Sequence, residues 1–236
     1  MHFQICSFRF RSIAKDSDFY AAQAEDEKQR CYFYNVDLQG RLFLEETFPK
    51  NIATSIKDER FLNFFFRRVQ PVGGKLQTDV MEPRDIPIAD YPFVSPCGKE
   101  LNFIRPAASP FVFHGLVNSV DDNPQEQHGT QHLVYGGSLH QAFSWDRLAI
   151  SRDTGRIYHA RHDEKQNKKP GIPFGLVRSQ LAVSLVEQME IISHQGDDDE
   201  EDVLAYRDKD GKLHRVQWLP ADAEPGSWAM PSEYEQ

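Results

Sequence analysis

The residues most able to do chemistry in this sequence are cations grouped in its second half. They follow a predicted turn at residues 153–155 or begin a predicted helix after Pro173. The candidate anion-binding set consists of Arg156, Tyr158, His159, Lys168, Lys169, Arg178 and Ser179. Guanidinium groups bind carboxylates and phosphates through two parallel N–H donors, and the first N–H groups of a helix add a positive dipole end. The pattern predicts a groove that binds either a small anionic ligand, such as a phosphorylated metabolite or a lipid headgroup, or a protein partner.

The charge distribution agrees with such a site. Residues 147–178 contain eight Lys and Arg against three Asp and Glu, a local charge of +5 in a chain whose net charge is -9. A basic segment in an acidic chain either meets an anion or is an ordinary solvated surface. Arg178 likewise either binds the anion or pairs with an acid across the domain interface. The overall negative charge argues against a nucleic-acid partner.

A second candidate site surrounds a tight turn at residues 96–98. Ser95, Cys97 and Glu100 lie there, and a cysteine becomes a nucleophile when a nearby cation or helix start lowers its pKa. With His159 as a base, this set would give a thiol- or carboxylate-based enzyme. The alternative is a purely structural turn.

Metal and cofactor motifs are weak or absent from the sequence. The pairs His128 with His132 and His159 with His162 have usable spacings, but no third ligand accompanies either pair at a fixed distance. The segment GGSLH lacks the closing glycine of a serine-hydrolase elbow, and no phosphate loop or dinucleotide fingerprint is present. The sequence therefore predicts no cofactor and no metal.

These side chains must be positioned by a pattern of turns and apolar runs that occurs twice. In the first half, a hairpin at 32–44 turns at Gly40, a helix follows Ser55 and Asp58, and a second hairpin at 92–104 turns at Gly98. In the second half, a hairpin turns at 153–155, a helix is predicted over 174–192, and a hairpin turns at 208–211.

The spacing of these landmarks indicates a duplication. Gly40 and Gly155 are 115 positions apart, and Gly98 and Gly211 are 113 apart. We therefore predict an α+β fold of two repeated modules, each a small antiparallel sheet of two hairpins with one packed helix. The predicted division is a tail at 1–30, a first repeat at 31–117, a linker at 118–131, a second repeat at 132–220 and a tail at 221–236.

Composition places the protein among folded intracellular proteins. The chain is 39% hydrophobic and 12% aromatic, and it has no apolar run long enough to cross a bilayer. Its three cysteines show no disulfide or zinc pattern, which fits a reducing compartment. The first fifteen residues are basic and contain several phenylalanines, so they are either a mitochondrial presequence or a plain tail. The compartment is then the mitochondrial matrix or the cytoplasm.

Several motifs resemble known families. The segments YFYNVD, PFVSPCG, GRIYH and GLVRS, in this order over roughly residues 32–190, resemble the UPF 0598 family, whose animal members are mitochondrial and have no established activity. The order of hairpin, Phe-rich helix and P-F-V segment is more distantly similar to the bacterial family DUF 1285. That resemblance implies two duplicated domains, a pleckstrin-homology-like second module and a ligand site between them.

Three functional hypotheses remain open at this point. The first is a non-enzymatic module that binds an anionic ligand or a partner in the groove between its repeats. The second is an enzyme that uses Cys97, Glu100 and His159. The third is an assembly or scaffold factor that meets a basic partner through the acidic segment 197–202.

Overall fold

The structure, a computed structural model, describes residues 30–73, 88–118, 131–161, 172–192 and 203–221. Within these ranges the chain forms sixteen β-strands and two α-helices, so the predicted α+β fold class is confirmed. Four sets of predicted features lie outside the described residues: the tails at 1–29 and 222–236, the inner part of the predicted linker at 119–130, the lysines Lys168 and Lys169, and the acidic segment 197–202.

The first module is a five-stranded sheet with one helix. Its strands are β1 (Arg30–Val36), β2 (Leu42–Leu44), β3 (Gln70–Pro71), β4 (Phe93–Cys97) and β5 (Glu100–Pro106), in the sheet order β2-β1-β5-β4-β3. Both predicted hairpins are present, and Gly40 and Gly98 adopt positive φ angles at their turns. Helix α1 (Glu59–Phe66) begins where the Asp58 carboxylate accepts a hydrogen bond of 2.7 Å from the backbone N–H of Phe61.

Four strands connect the two modules. They are β6 (Val112–Phe113), β7 (Gly115–Asn118), β8 (Gln131–Tyr135) and β9 (Leu139–Ala142). Strands β7, β8 and β9 form an antiparallel sheet, in which Asn118 pairs with Gln131. The two ends of the predicted linker are therefore neighbouring strand residues. Whether the chain divides into domains at 31–117 and 132–220 stays a prediction.

The second module repeats the first. Its elements are β10 (Leu148–Ile150), β11 (Ile157–Ala160), β12 (Phe174–Val177), α2 (Ser179–Val186), β13 (Glu190–Ile192), β14 (Val203–Arg207), β15 (Leu213–Arg215) and β16 (Gln217–Trp218). Strands β10 and β11 form the hairpin that turns at Gly155, and β14 and β15 the hairpin that turns at Gly211. Strand β6 of the connecting region adds to this module by pairing in parallel with β12.

The two modules share their strand order and their closing hydrogen bond. The second module contains two sheets, in the orders β16-β10-β11-β12-β6 and β13-β14-β15. When β15 and β16, on either side of Val216, are taken together as the counterpart of β5, the order β11, β10, β16 with β15, β14, β13 corresponds to β2, β1, β5, β4, β3. The N–H of Ala107 donates to the carbonyl of Val36 at 2.8 Å, and in the same place the N–H of Leu219 donates to Ile150 at 2.8 Å. Each helix has eight residues, and α2 begins 120 positions after α1. The fold is therefore made of repeated sheet modules.

Two details of the predicted modules are wrong. The sheets are not purely antiparallel, because the first strand of each module pairs in parallel with the last, β1 with β5 and β10 with β16. The predicted helix over 174–192 is a strand, a short helix and another strand. Its first four residues follow a helix-like apolar pattern, but Leu176 pairs with Tyr158 and Phe174 with Ala160, so sheet pairing overrides the local pattern.

One apolar core spans both modules. Tyr34, Leu42 and Phe65 of the first module belong to the same buried cluster as Tyr158 and Leu176 of the second. The predicted space between the repeats is thus largely filled with side chains. An opening for a ligand has to lie at the margin of this interface.

A tight turn holds the connecting sheet against α1. The turn between β8 and β9 contains Gly136, at a φ of +63°, and Gly137. A Cβ atom on Gly137 would lie 2.7 Å from Cγ and 2.8 Å from the carbonyl oxygen of Glu59, so only glycine fits. Ser138 then exchanges two hydrogen bonds of 2.9 Å with the Asn63 side chain.

We expect Gly137→Ala to lower the free energy of unfolding by about 1–3 kcal/mol, because the added methyl group displaces the turn from α1. Gly115→Ala is the matched control, since its Cβ would lie 3.7 Å from Val134 and at an ordinary φ. That variant should stay within about 0.5 kcal/mol of the wild type in urea denaturation. Equal stability of the two variants would contradict the tight contact.

Candidate functional site

A groove opens beside α2 at the margin of the interface between the modules. Its volume is about 400 Å³. One wall is α2, and the other is formed by the end of the β10–β11 turn and by β12, with Leu38 reaching in from the first module. We call it the α2 groove; its lining residues are Leu38, Gly155, Arg156, Ile157, Leu176, Val177, Ser179, Ala182, Val183, Val186 and Glu187.

The groove is apolar along its length and polar at a few points. Val183 is 58% exposed and Val186 is 38% exposed, although both are large aliphatic residues on a short helix. Arg156, Ser179 and Glu187 are the polar side chains among the lining residues. An apolar wall with a few placed polar groups is typical of a binding site.

The structure brings only part of the predicted anion-binding set together. Arg156 and Ser179 both line the α2 groove. Ser179 is the first residue of α2, and Arg178, the residue before the helix, makes no side-chain capping hydrogen bond. The first N–H groups of this helix are therefore next to the groove.

Arg178 itself does not line the groove. One of its terminal nitrogens donates to the Gln180 side chain at 3.0 Å, and its backbone N–H donates to Phe113 of β6 at 2.9 Å. The pKa of His114 is lowered, mainly because the imidazole is buried and also because the positive charge of Arg178 is near it. A hydrogen bond with the backbone of Gly136 acts in the opposite direction and raises this pKa.

Tyr158 and His159 are placed in the core, which does not fit an anion-binding role. Both residues are 0% exposed. The Nδ1 atom of His159 lies 3.0 Å from the Gln141 amide and 2.7 Å from the carbonyl of Ala160, and its Nε2 atom accepts from the N–H of Ser144 at 3.1 Å. The imidazole therefore ties β11 to β9 and to the start of the next turn.

The residues of the alternative site serve the sheet of the first module. The Ser95 hydroxyl is fully buried and donates to the carbonyl of Phe65 at 2.8 Å, which joins β4 to α1. Glu100 forms an ion pair of 2.8 Å with Arg30. Cys97 is half-buried and pairs with Glu100 across the hairpin, whereas His159 lies in the other sheet with both ring nitrogens hydrogen bonded. The structure thus gives the set Cys97, Glu100 and His159 no shared catalytic geometry.

Sequence reasoning missed a histidine held between two carboxylates. The Nδ1 atom of His214 lies 2.8 Å from Asp146, and its Nε2 atom lies 3.0 Å from Asp208. The hydrogen bond with Asp208, then that with Asp146, raise the pKa of His214. This contact joins the β14–β15 hairpin to the segment before β10. Only its Asp-x-x-Gly turn was recognisable, because Asp146 is 68 positions away.

The described residues contain no group of three or more His, Cys, Asp or Glu side chains that could hold a metal ion. None of the helices within them is long and apolar enough to span a membrane.

Residues 21–218 match the model of DUF4505, described as a domain of unknown function, and the chain belongs to this family. Two solved structures are also similar to it. A DUF1285 family protein from Silicibacter pomeroyi DSS-3 is 14% identical over 87% of this chain and 97% of that chain, with a TM-score of 0.40. A DUF1285 family protein from Shewanella baltica OS155 is 9% identical over 65% of this chain and 90% of that chain, with a TM-score of 0.38.

The expected resemblance to DUF 1285 is thus found again among solved structures, whereas that to UPF 0598 stays a prediction. At these TM-scores the two structures carry no functional inference. The pleckstrin-homology-like character of the second module also stays a prediction.

The contact of His214 with two carboxylates predicts a pH-dependent stability. The pKa of His214 is higher in the folded protein than its value of about 6.5 in an unfolded chain. Its contribution to stability is therefore complete below about pH 6.5 and is lost as the pH rises through the folded pKa. We expect the temperature of the unfolding midpoint to fall as the pH rises above about 6.5 in the wild type, and to fall less in His214→Gln. His140→Gln, at an exposed histidine, is the control. Parallel pH profiles for all three proteins would contradict this assignment.

Proposed function

We propose that this protein is a binding module whose α2 groove receives a ligand or partner that combines an apolar part with an anionic group. The observation that carries the proposal is the position of Arg156 and Ser179 in an apolar groove of about 400 Å³. The apolar part would cover the walls, and the anionic group would meet Arg156. Lys168, Lys169 and Arg178 are not needed for this site.

The exposed valines support the apolar part of the proposal. Removing apolar surface from water contributes about 25 cal/mol per Å², so a helix that leaves Val183 and Val186 exposed has more to gain from an occupant than a polar helix. Ile157, Leu176 and Val177 line the opposite wall but are almost completely buried, so the two valines of α2 provide the open apolar surface. A fully hydrated anion such as inorganic phosphate would leave these valines in water.

The first module shows why Arg156 is suited to an incoming acid. Arg41 is its counterpart after the Gly40 turn, and the Nε atom of Arg41 donates to the Asp37 carboxylate at 2.7 Å. In the second module, Ser151 takes the place of Asp37: its N–H donates to the carbonyl of Arg156, as that of Asp37 donates to Arg41. The position of the carboxylate that pairs with Arg41 is thus occupied by Ser151, whose hydroxyl is hydrogen bonded to Thr154.

The start of α2 adds donors at the same groove. Helix N-termini carry unsatisfied N–H groups and a partial positive charge, which together stabilise a nearby anion by about 0.3–1 kcal/mol when exposed. In this proposal Arg156 provides the specific contact, and Ser179 provides a hydroxyl in the same groove. The candidate groups are therefore a phosphate or carboxylate attached to an apolar chain, or an acidic side chain among apolar neighbours.

The proposal predicts binding that depends on Arg156. A thermal-shift panel of dodecyl phosphate, oleate, nucleotides and inorganic phosphate should stabilise the wild type with the amphipathic anions more than with phosphate alone. Arg156→Ala should weaken that binding about tenfold to a hundredfold in calorimetry, because a hydrogen bond to a charged group contributes about 1.5–3 kcal/mol. Arg215→Ala removes an exposed arginine outside the groove and is the control. No shift with any compound, or equal affinity in Arg156→Ala, would contradict the anion site.

A further inference from the structure

We infer that the α2 groove is a docking site for an acidic polypeptide segment of another protein, which would bind as the chain's own connecting segment binds the first module. This inference rests on the proposed function of the α2 groove and specifies its occupant. The molecule has two equivalent surfaces: the one on α1 is covered by the chain itself, and the one on α2 is open.

The two surfaces are equivalent because the two helices are. The N-terminal residue of α1, Glu59, corresponds to Ser179, and the 120-position offset carries Asn63 to Val183 and Phe66 to Val186. These three positions lie on one face of each helix. On α2 this face lines the groove.

On α1 the same face is covered by main chain. The Gly136–Ser138 turn lies against it: Gly136 is next to Phe66, Gly137 next to Glu59, and Ser138 is hydrogen bonded to Asn63. The Ser138 hydroxyl also contacts the Glu59 carboxylate at 2.5 Å. A tight turn of polypeptide, with backbone and small side chains, is thus what this type of surface accommodates.

The turns opposite the two helices differ in the same way: the turn of the first module is covered and that of the second is open. A Cβ atom built on Gly40 would lie 3.0 Å from Cβ of Val112, because the connecting chain passes directly over the turn of the first module. A Cβ atom built on Gly155, the counterpart in the second module, would meet no atom within 4 Å among the described residues. The segment that covers the first surface on two sides therefore has no counterpart on the second within the part of the chain that the structure describes.

The substitutions between the two surfaces indicate the chemistry of the partner. Val183 and Val186 replace Asn63 and Phe66, so the partner contacts α2 through apolar or small residues rather than through a serine. Ser179 replaces Glu59, which removes a negative charge from the N-terminal end of this wall, and Glu187 replaces Arg67, which places a negative charge at its C-terminal end. Since Ser151 also replaces the acid that pairs with Arg41, the partner supplies a carboxylate to Arg156 from outside.

Selection of peptides that bind the full-length protein from a random-peptide display library tests this inference. Selected peptides should combine Asp or Glu with apolar and small residues. When they are synthesised and measured by fluorescence polarisation, Arg156→Glu and Val183→Asp should each weaken binding about tenfold or more, and Arg215→Glu should leave it unchanged. Both groove residues have exposed or half-buried side chains, and circular dichroism would confirm that the variants fold. Amide shifts on peptide addition should be largest at Gly155, Val183 and Val186.

The other outcomes separate this inference from the proposed function. If dodecyl phosphate binds in an Arg156-dependent manner and no selected peptide does, the groove takes a small amphipathic anion and the polypeptide inference is overturned. If a synthetic peptide of residues 222–236 binds the groove more tightly than any selected peptide, the occupant belongs to this chain and a separate partner is overturned. If neither peptides nor anions depend on Arg156, both proposals fail.

Discussion

The pairing of the first strand with the last strand of each module is the contact on which the rest of the structure depends. It joins residues as far apart in sequence as Val36 and Ala107, and the same bond joins Ile150 to Leu219. Forming it requires closure of a long chain segment, so its entropic cost is met only when the intervening helix and hairpin pack at the same time. Closure of each sheet is therefore coupled to the packing of its helix and hairpin, and the turn that bears Arg156 is held in place by the closed sheet.

The features of the fold that depend on neighbouring residues could be predicted from the sequence, and those that depend on distant residues could not. The hairpin turns were predictable, because Gly40, Gly98, Gly155 and Gly211 occupy the positive-φ positions that their turns require. The parallel pairing of β1 with β5 was not, because nothing in either strand alone specifies a partner some seventy residues away. The run after Pro173 was misjudged for a related reason: Leu176 becomes a strand residue only because Tyr158 and Val112 are beside it.

The candidate site divides in the same way. Arg156 was singled out for its place after a turn and Ser179 for its place in the first turns of a helix predicted over 174–192. Both line the α2 groove, and their role in binding stays a prediction. Tyr158 and His159 were not distinguishable from exposed strand residues, since the side chains that bury them, such as Gln141, come from the connecting sheet. The apolar walls were missed because an aliphatic residue such as Val183 normally indicates a buried helix face. Its exposure is visible only when the packing of α2 is known.

The strand Val112–Phe113 has a consequence for any attempt to express the two halves of this protein separately. It precedes the connecting sheet, yet it supplies the outermost strand of the second module by pairing with Leu176 and Val177. A fragment starting at Gln131 would leave β12 as an unprotected edge, with the backbone groups that bond Phe111 and Phe113 open to other chains. Such a fragment would offer this edge for pairing with other chains. A fragment of the second half therefore keeps the partner strand of β12 only if it starts upstream of Phe111.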